Sequence, residues 1–152
     1  MKITLDVLDE LTEKAKVDPR LRYHLDLRDS ENDASQRMLN AIEPGTVIPI
    51  HRHKNTSETM VCIRGHFEEY LYDYTRTLED GTPDPESFGV VEVVDMVPVG
   101  TLLIVEPGQW HTLKSLESGT VLLTAKDGVW EPLENDDIFE GGVNNNPWNN
   151  EK

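Results

Sequence analysis

Three histidines and one glutamate are spaced as ligands for a single divalent ion. In Gly45-TVIPI-His51-Arg52-His53-KNTS-Glu58-TMVCIR-Gly65, two histidines stand two positions apart on an extended segment. That spacing points both rings to the same side. Glu58 follows after a four-residue turn and re-enters on the neighbouring strand, so the three side chains can converge. Further on, Gly100-TLLIVE-Pro107-Gly108-Gln109-Trp110-His111 delivers a third histidine just after a tight Pro-Gly turn. Three imidazoles and a carboxylate suit a first-row ion such as Fe, Mn, Ni, Co, Cu or Zn, and leave a coordination position open for water or substrate. The alternative for Glu58 is a carboxylate that orients a histidine without touching the ion.

Positioning such a cluster requires a rigid sheet scaffold. From Met38 the chain reads as short β-type runs punctuated by Gly, Pro, Asp and Asn: MLNAIEPG, TVIPIHRH, ETMVCIRG, HFEEYLYDY, FGVVEVVDMVPVG, TLLIVEPG, WHTLKSL and TVLLTAKDG. No ten-residue helical pattern separates them, which argues against a parallel βαβ sheet and for an all-β antiparallel jelly roll or related barrel. By parity from Glu58, Met60, Cys62 and Arg64 share its inward side, unless a bulge intervenes, and Thr59, Val61 and Ile63 face outward. LEDGTPDPES, residues 78–87, is a surface hairpin loop. Upstream, Leu5, Val7, Leu8, Leu11 and Ala15 recur at helical spacing over Leu5 to Val17, with Thr4 or Asp6 as N-cap and Pro19 beyond the end. The polar stretch from Arg20 to Arg37 reads as an extended arm. The expected organisation is therefore a helix and arm (1–37), a barrel (38–132) and a polar tail (133–152), in which Ile138, Phe139 and Trp148 anchor to the body or to another subunit.

Composition bounds the partners. The 152 residues suit a single domain, with 37% hydrophobic and 28% charged residues. Lys+Arg 14 against Asp+Glu 29 gives a formal net charge of -15 without any basic run, which disfavours nucleic acid and anionic membrane surfaces as partners. No apolar run approaches the roughly 20 residues of a membrane span. The lone Cys62 forms no internal disulfide, and the N-terminus lacks the pattern of a signal peptide, so the cytoplasm is the expected compartment.

The stretch from Gly45 to Gly65 resembles the first cupin motif, G-x5-H-x-H-x3-4-E-x6-G, at every fixed position. The second motif, G-x5-P-x-G-x2-H-x3-N, is met with departures: Gly100, Gly108 and His111 keep its spacing, Pro107 sits one place late, and Ser115 stands where Asn is usual. The runs Gln36-Arg37-Met38-Leu39-Asn40-Ala41, Pro44-Gly45-Thr46 and His51-Arg52-His53-Lys54, with His24 and Glu58, are similar to the WbuC family of cupin metalloproteins. The resemblance implies a cupin jelly-roll barrel, a double-stranded β-helix holding Fe, Mn, Ni or Zn on His51, His53, Glu58 and His111. It also implies a homodimer and a sugar or sugar-nucleotide substrate in bacterial surface-polysaccharide (O-antigen) biosynthesis. An isomerase or epimerase and a dioxygenase both accord with it. The alternatives are a non-enzymatic metal-dependent sugar-binding or regulatory module and a metal-free sugar-nucleotide epimerase.

His24, Arg37 and Tyr70 are the candidate catalytic residues. His24, in the arm with Arg20, Arg22 and Arg28, faces an anionic substrate if the arm folds over the barrel mouth, and is otherwise an exposed loop histidine. Arg37 either turns inward to a carboxylate or phosphate or pairs with one of the plentiful acids. Tyr70 and Tyr72 line the pocket or pack in the core. Cys62 is a pocket or core residue and not a nucleophile. Trp110 walls the site or caps the barrel end, and His66 faces solvent or another subunit.

Overall fold

The structure, a computed structural model, describes residues 1–141. Its helix α1 (Leu5–Val17) has the expected bounds, with Thr4 at the N-cap position but making no side-chain cap bond. Eight strands follow: β1 (Arg22–Asp26), β2 (Ser35–Ile42), β3 (Glu58–Arg64), β4 (Phe67–Tyr74), β5 (Phe88–Met96), β6 (Leu102–Val105), β7 (Trp110–Ser115) and β8 (Thr120–Asp127). They form a five-stranded sheet in the order β1-β2-β8-β3-β6 and a three-stranded sheet in the order β5-β4-β7. All the ladders are antiparallel. The helix is not long and apolar enough to cross a membrane.

Alternation along the strands sorts each residue to one of two faces. Ile42, Met60, Cys62, Val105 and Leu122 of the larger sheet meet Phe67, Met96 and Leu113 of the smaller one, forming the main core between the sheets. The opposite parity of β2 and β8 presents Leu39, Ala41 and Val121 outward, where Leu8, Leu11 and Ala15 of α1 cover them. A third cluster joins Ile50, Tyr72 and Phe88 with Trp110 and Phe139. Cys62 is therefore a core residue, as its parity predicts.

Three local features depart from the sequence expectations. The arm contains strand β1, paired along its length with Arg22 opposite Ile42 and Asp26 opposite Met38, and β2 starts at Ser35, three residues before the expected barrel start. The run TVIPIHRH forms no ladder; it carries isolated bridges at His51 only, because Pro49 has no N–H to contribute. Arg64 leaves the inward parity of β3 at a bulge between Cys62 and Arg64. Its guanidinium reaches α1 instead, bonding Asp9 Oδ1 at 2.6 Å, Thr12 Oγ1 at 2.7 Å and the Leu8 carbonyl at 3.0 Å, with a further bond to the Gly119 carbonyl.

The hairpin that follows needs a glycine. Gly65 has φ +82, and an added Cβ would lie 2.6 Å from Thr120 Cα, so both the left-handed backbone and the close approach exclude a side chain. The loop 78–87 joins β4 to β5 as expected, closing on a short turn at Pro85–Ser87.

Arg64 ties the helix to the sheet by charge-assisted bonds in a partly enclosed site. Arg64→Ala is expected to lower unfolding stability by about 2 kcal/mol in urea titration, whereas the exposed Leu5→Ala changes it little.

Candidate metal centre

The ligand residues are brought together by backbone pairing. His51 N–H donates to the His111 carbonyl at 3.0 Å, and His111 N–H donates to the His51 carbonyl at 2.8 Å. This antiparallel exchange sets the two rings 4.3 Å apart between centroids. The Pro107-Gly108 turn adds a second stitch, since Gly108 N–H donates to the His53 carbonyl at 2.8 Å. On the opposite edge Arg52 N–H donates to the Asp137 carbonyl at 3.0 Å and Phe139 N–H to the Ile50 carbonyl at 2.8 Å. The ligand-bearing segment 50–53 is thus held between the second motif and the start of the tail. The Phe139 ring stacks on Phe88 at 3.8 Å, so Ile138 and Phe139 do anchor to the body, while Trp148 lies outside the described residues.

One donor atom from each of His51, His53, Glu58 and His111 lies within 4.8 Å of the others. His51 Nδ1 bonds the Pro49 carbonyl and His111 Nδ1 the Gln109 carbonyl, both at 2.9 Å. With Nδ1 of His51 as donor, Nε2 of that neutral ring keeps its lone pair, the form a metal requires. Glu58 Oε2 lies 3.2 Å from His111 Nε2 and 3.4 Å from His53 Nε2, and the latter nitrogen is buried without a hydrogen-bond partner. Three ring nitrogens and a carboxylate oxygen converging on one point, one of the nitrogens buried without a partner, fit a divalent transition ion.

The charges agree. Burial, then the neighbouring His111, pushes His51 down to about 3, so its ring is neutral at physiological pH. Burial opposes ionisation of Glu58, but the contacts with His111 and His53 and the charge of Lys126 outweigh it and hold its carboxyl well below the usual range. Lys126 Nζ donates to Glu58 Oε1 at 3.0 Å.

The cluster opens on a cavity of about 270 Å³ between the sheets. Of the predicted catalytic residues only His24 lines it, near Arg20 and Arg22 of the arm. Arg37 pairs with Asp33 at 2.8 Å and does not reach the cavity, and the phenol of Tyr70 donates to Glu68 on the other face of β4. Both follow from parity: Arg37 alternates with the cavity-lining Met38 and Asn40 only by one position, and Tyr70 is one position from the cavity-lining Glu69. Tyr72 packs against Phe88, Trp110 carries Arg52 over its ring at 4.5 Å, and His66 turns outward to Asp95. Ser115, in place of the usual Asn, still donates to the Ile42 carbonyl at 3.0 Å. Sequence reasoning missed Glu69 and Lys126 as cavity residues; the period-two pattern Phe67-Glu69-Leu71 and Leu122-Thr124-Lys126 was the available signal.

The family described as Domain of unknown function (DUF6016) matches residues 3–82. No curated protein matches the sequence. Among solved structures, KdgF from Halomonas sp. is similar at TM-score 0.53 with 15% identity, over 74% of this chain and 83% of that one. A cupin 2 domain-containing protein from Halorhodospira halophila is similar at TM-score 0.53 with 18% identity, over 76% of this chain and 72% of that one. A recombinant oxalate oxidase in complex with glycolate is similar at TM-score 0.53 with 13% identity, over 76% of this chain and 55% of that one. These likenesses establish the fold as the cupin jelly roll.

The neutral His51 gives the metal-free protein a pH dependence. Its folded pKa lies below that of a histidine in the unfolded chain, so acidification between about 6.5 and about 3 protonates the unfolded state first and stability falls with falling pH. The contribution is expected to approach about 1.4 kcal/mol per pH unit within that window, and His51→Gln flattens it in chelator-treated protein followed by urea unfolding.

Proposed function

The chain belongs to the DUF6016 family, and from its site we propose that it is a metal-dependent enzyme acting on a small, negatively charged carbohydrate derivative. The observation that carries this reading is the convergence of four ligand atoms within 4.8 Å, three of them from residues that line a cavity also lined by Arg20, Arg22 and Lys126. A divalent ion held by His51, His53, Glu58 and His111 supplies Lewis-acid polarisation of a substrate carbonyl or hydroxyl.

The protein's own residues define what enters. Arg22 makes no side-chain hydrogen bond to a described residue, and burial lowers its pKa below the ordinary guanidinium value, as for a cation short of partners. Arg20, by contrast, is held by Asp18 at 3.1 Å. A guanidinium lining a small cavity favours a carboxylate or phosphate. The volume, about 270 Å³, is just under the usual range of roughly 300–1,000 Å³ for small-molecule sites, which favours a monosaccharide-sized acid over a sugar nucleotide. Two resemblances support this class: the WbuC-like runs around Gln36 and His51 point to carbohydrate, and the oxalate oxidase neighbour holds the hydroxy acid glycolate.

Protein purified without tag, added metal or chelator is expected to carry about one transition-metal ion per chain by elemental analysis, and the His51→Ala/His53→Ala variant almost none. Absence of metal in the wild type, with none taken up on reconstitution, overturns the proposal in favour of metal-free epimerisation.

A further inference from the structure

Four carboxylic side chains are buried among the described residues: Glu43, Glu58, Glu69 and Asp137. Three are accounted for by their partners. Glu43 accepts from Ser118 Oγ and from Gly119 N–H, Glu58 from Lys126, and Asp137 from Arg52 and Lys54. Glu69 is different: it is 0% exposed, and neither of its carboxyl oxygens has a hydrogen-bond partner.

Its place in the sheet explains why. Glu69 sits in β4, the central strand of the three-stranded sheet, on the interior face with Phe67. Its cross-strand neighbours are Val94 on β5 and Leu113 on β7, neither of which offers a polar side chain. It lines the cavity shared with the candidate ligands His51, Glu58 and His111. Burial first, and the negative charge of Glu58 second, raise its pKa well above the ordinary carboxylate range. A leucine would fill the position without desolvating a carboxyl group, so the acid is not retained for packing.

We propose that Glu69 is a substrate-contacting residue of the cavity, one that hydrogen-bonds a hydroxyl group of a small hydroxy acid whose carboxylate faces Arg22. This deepens the enzyme reading and rests on it. A carboxyl group offers a hydroxyl oxygen both an acceptor and, when protonated, a donor. A buried site built around such a pairing rejects an otherwise identical ligand that lacks the hydroxyl, because the site's polar group is then left unpaired. Glu69 thereby sets specificity for the hydroxyl, while Arg22 takes the charge.

The test compares glycolate with acetate, which differ by that hydroxyl, as ligands of the metal-loaded protein in calorimetric titrations. Wild type is expected to prefer glycolate by about tenfold or more. Glu69→Leu keeps its metal content, raises the thermal midpoint by about 2–4 °C, and brings the two affinities within about twofold. Glu69→Gln, which retains a donor and an acceptor, keeps most of the preference. Arg22→Gln weakens both acids alike and leaves their ratio unchanged. A Glu69→Leu protein that still prefers glycolate as wild type does overturns the role of Glu69 alone. A Glu69→Leu protein that fails to fold while Glu69→Gln folds assigns Glu69 to structure and overturns it equally. Metal-loaded wild type that binds neither acid overturns the hydroxy-acid reading together with this one, whereas a protein without metal fails at the earlier, separate assay.

Discussion

The reciprocal pair of backbone hydrogen bonds between His51 and His111 is the constraint on which the site depends. Sixty residues of chain separate the two histidines, and their rings meet because their main chains do. Residues directly opposite in an antiparallel pair project their side chains to the same face, so one bridge places two ligands, and the period of the strand places His53 beside them. Glu58 then enters as the first residue of β3, an interior strand of the five-stranded sheet, which makes the cluster a junction between the two sheets. A bridge this short is weak by itself. It is reinforced on one edge by Gly108 and on the other by the segment around Asp137, where Lys54 lies 2.6 Å from Asp136 and 3.1 Å from Asp137. The acids at 134–137 serve as this clamp, and their proximity to one another needs no ion to explain it.

Electrostatics turns the same junction into a binding site. Without metal, ionised Glu58 is balanced by Lys126 at 3.0 Å, and the neutral His51 contributes lone pairs and no charge. A divalent ion added to that set makes the cavity wall net positive. Arg22 and Arg20 lie at the same cavity, which on the reading proposed above draws an anion into a protein whose formal charge is -15. Low-dielectric walls strengthen that contrast, because the field of a few cations is focused where water is scarce.

The cluster of candidate metal ligands was legible because its residues are chemically distinctive and locally spaced: His51, His53 and Glu58 lie within eight residues, and His111 follows a recognisable turn. The helix Leu5–Val17 and the inward set Glu58, Met60 and Cys62 were legible from periodicity alone. Arg64 was not, since a bulge adds a residue to one strand without leaving a mark in the hydrophobic pattern. Strand β1 was hidden for a different reason: as the edge of its sheet it pairs on one side only, and RYHLD carries too few apolar residues to alternate visibly. Arg37 and Tyr70 were chosen for their chemistry, and each lies one residue out of phase with the cavity. Chemical type identifies what a residue can do, but strand parity decides where it does it.

Glu69 shows the converse. Read as part of HFEEYLYDY it is one of two adjacent acids in a chain rich in them, and nothing in its type distinguishes it from Glu68. The pleat separates them: Glu68 accepts from Tyr70 on the far side of the strand, while Glu69 is enclosed between Val94 and Leu113 at the cavity. A strand that alternates aromatic or aliphatic residues inward has no structural use for a carboxyl group in that series, because an apolar side chain there adds burial without a desolvation cost. The same sheet can hold such a group stably only because Phe67 on its own strand and Met96 and Leu113 on the flanking strands are buried beside it, and that surplus of packing offsets the cost of one unpartnered acid. The barrel is stable enough to carry a polar group at its centre, and the cavity is where that group has a use.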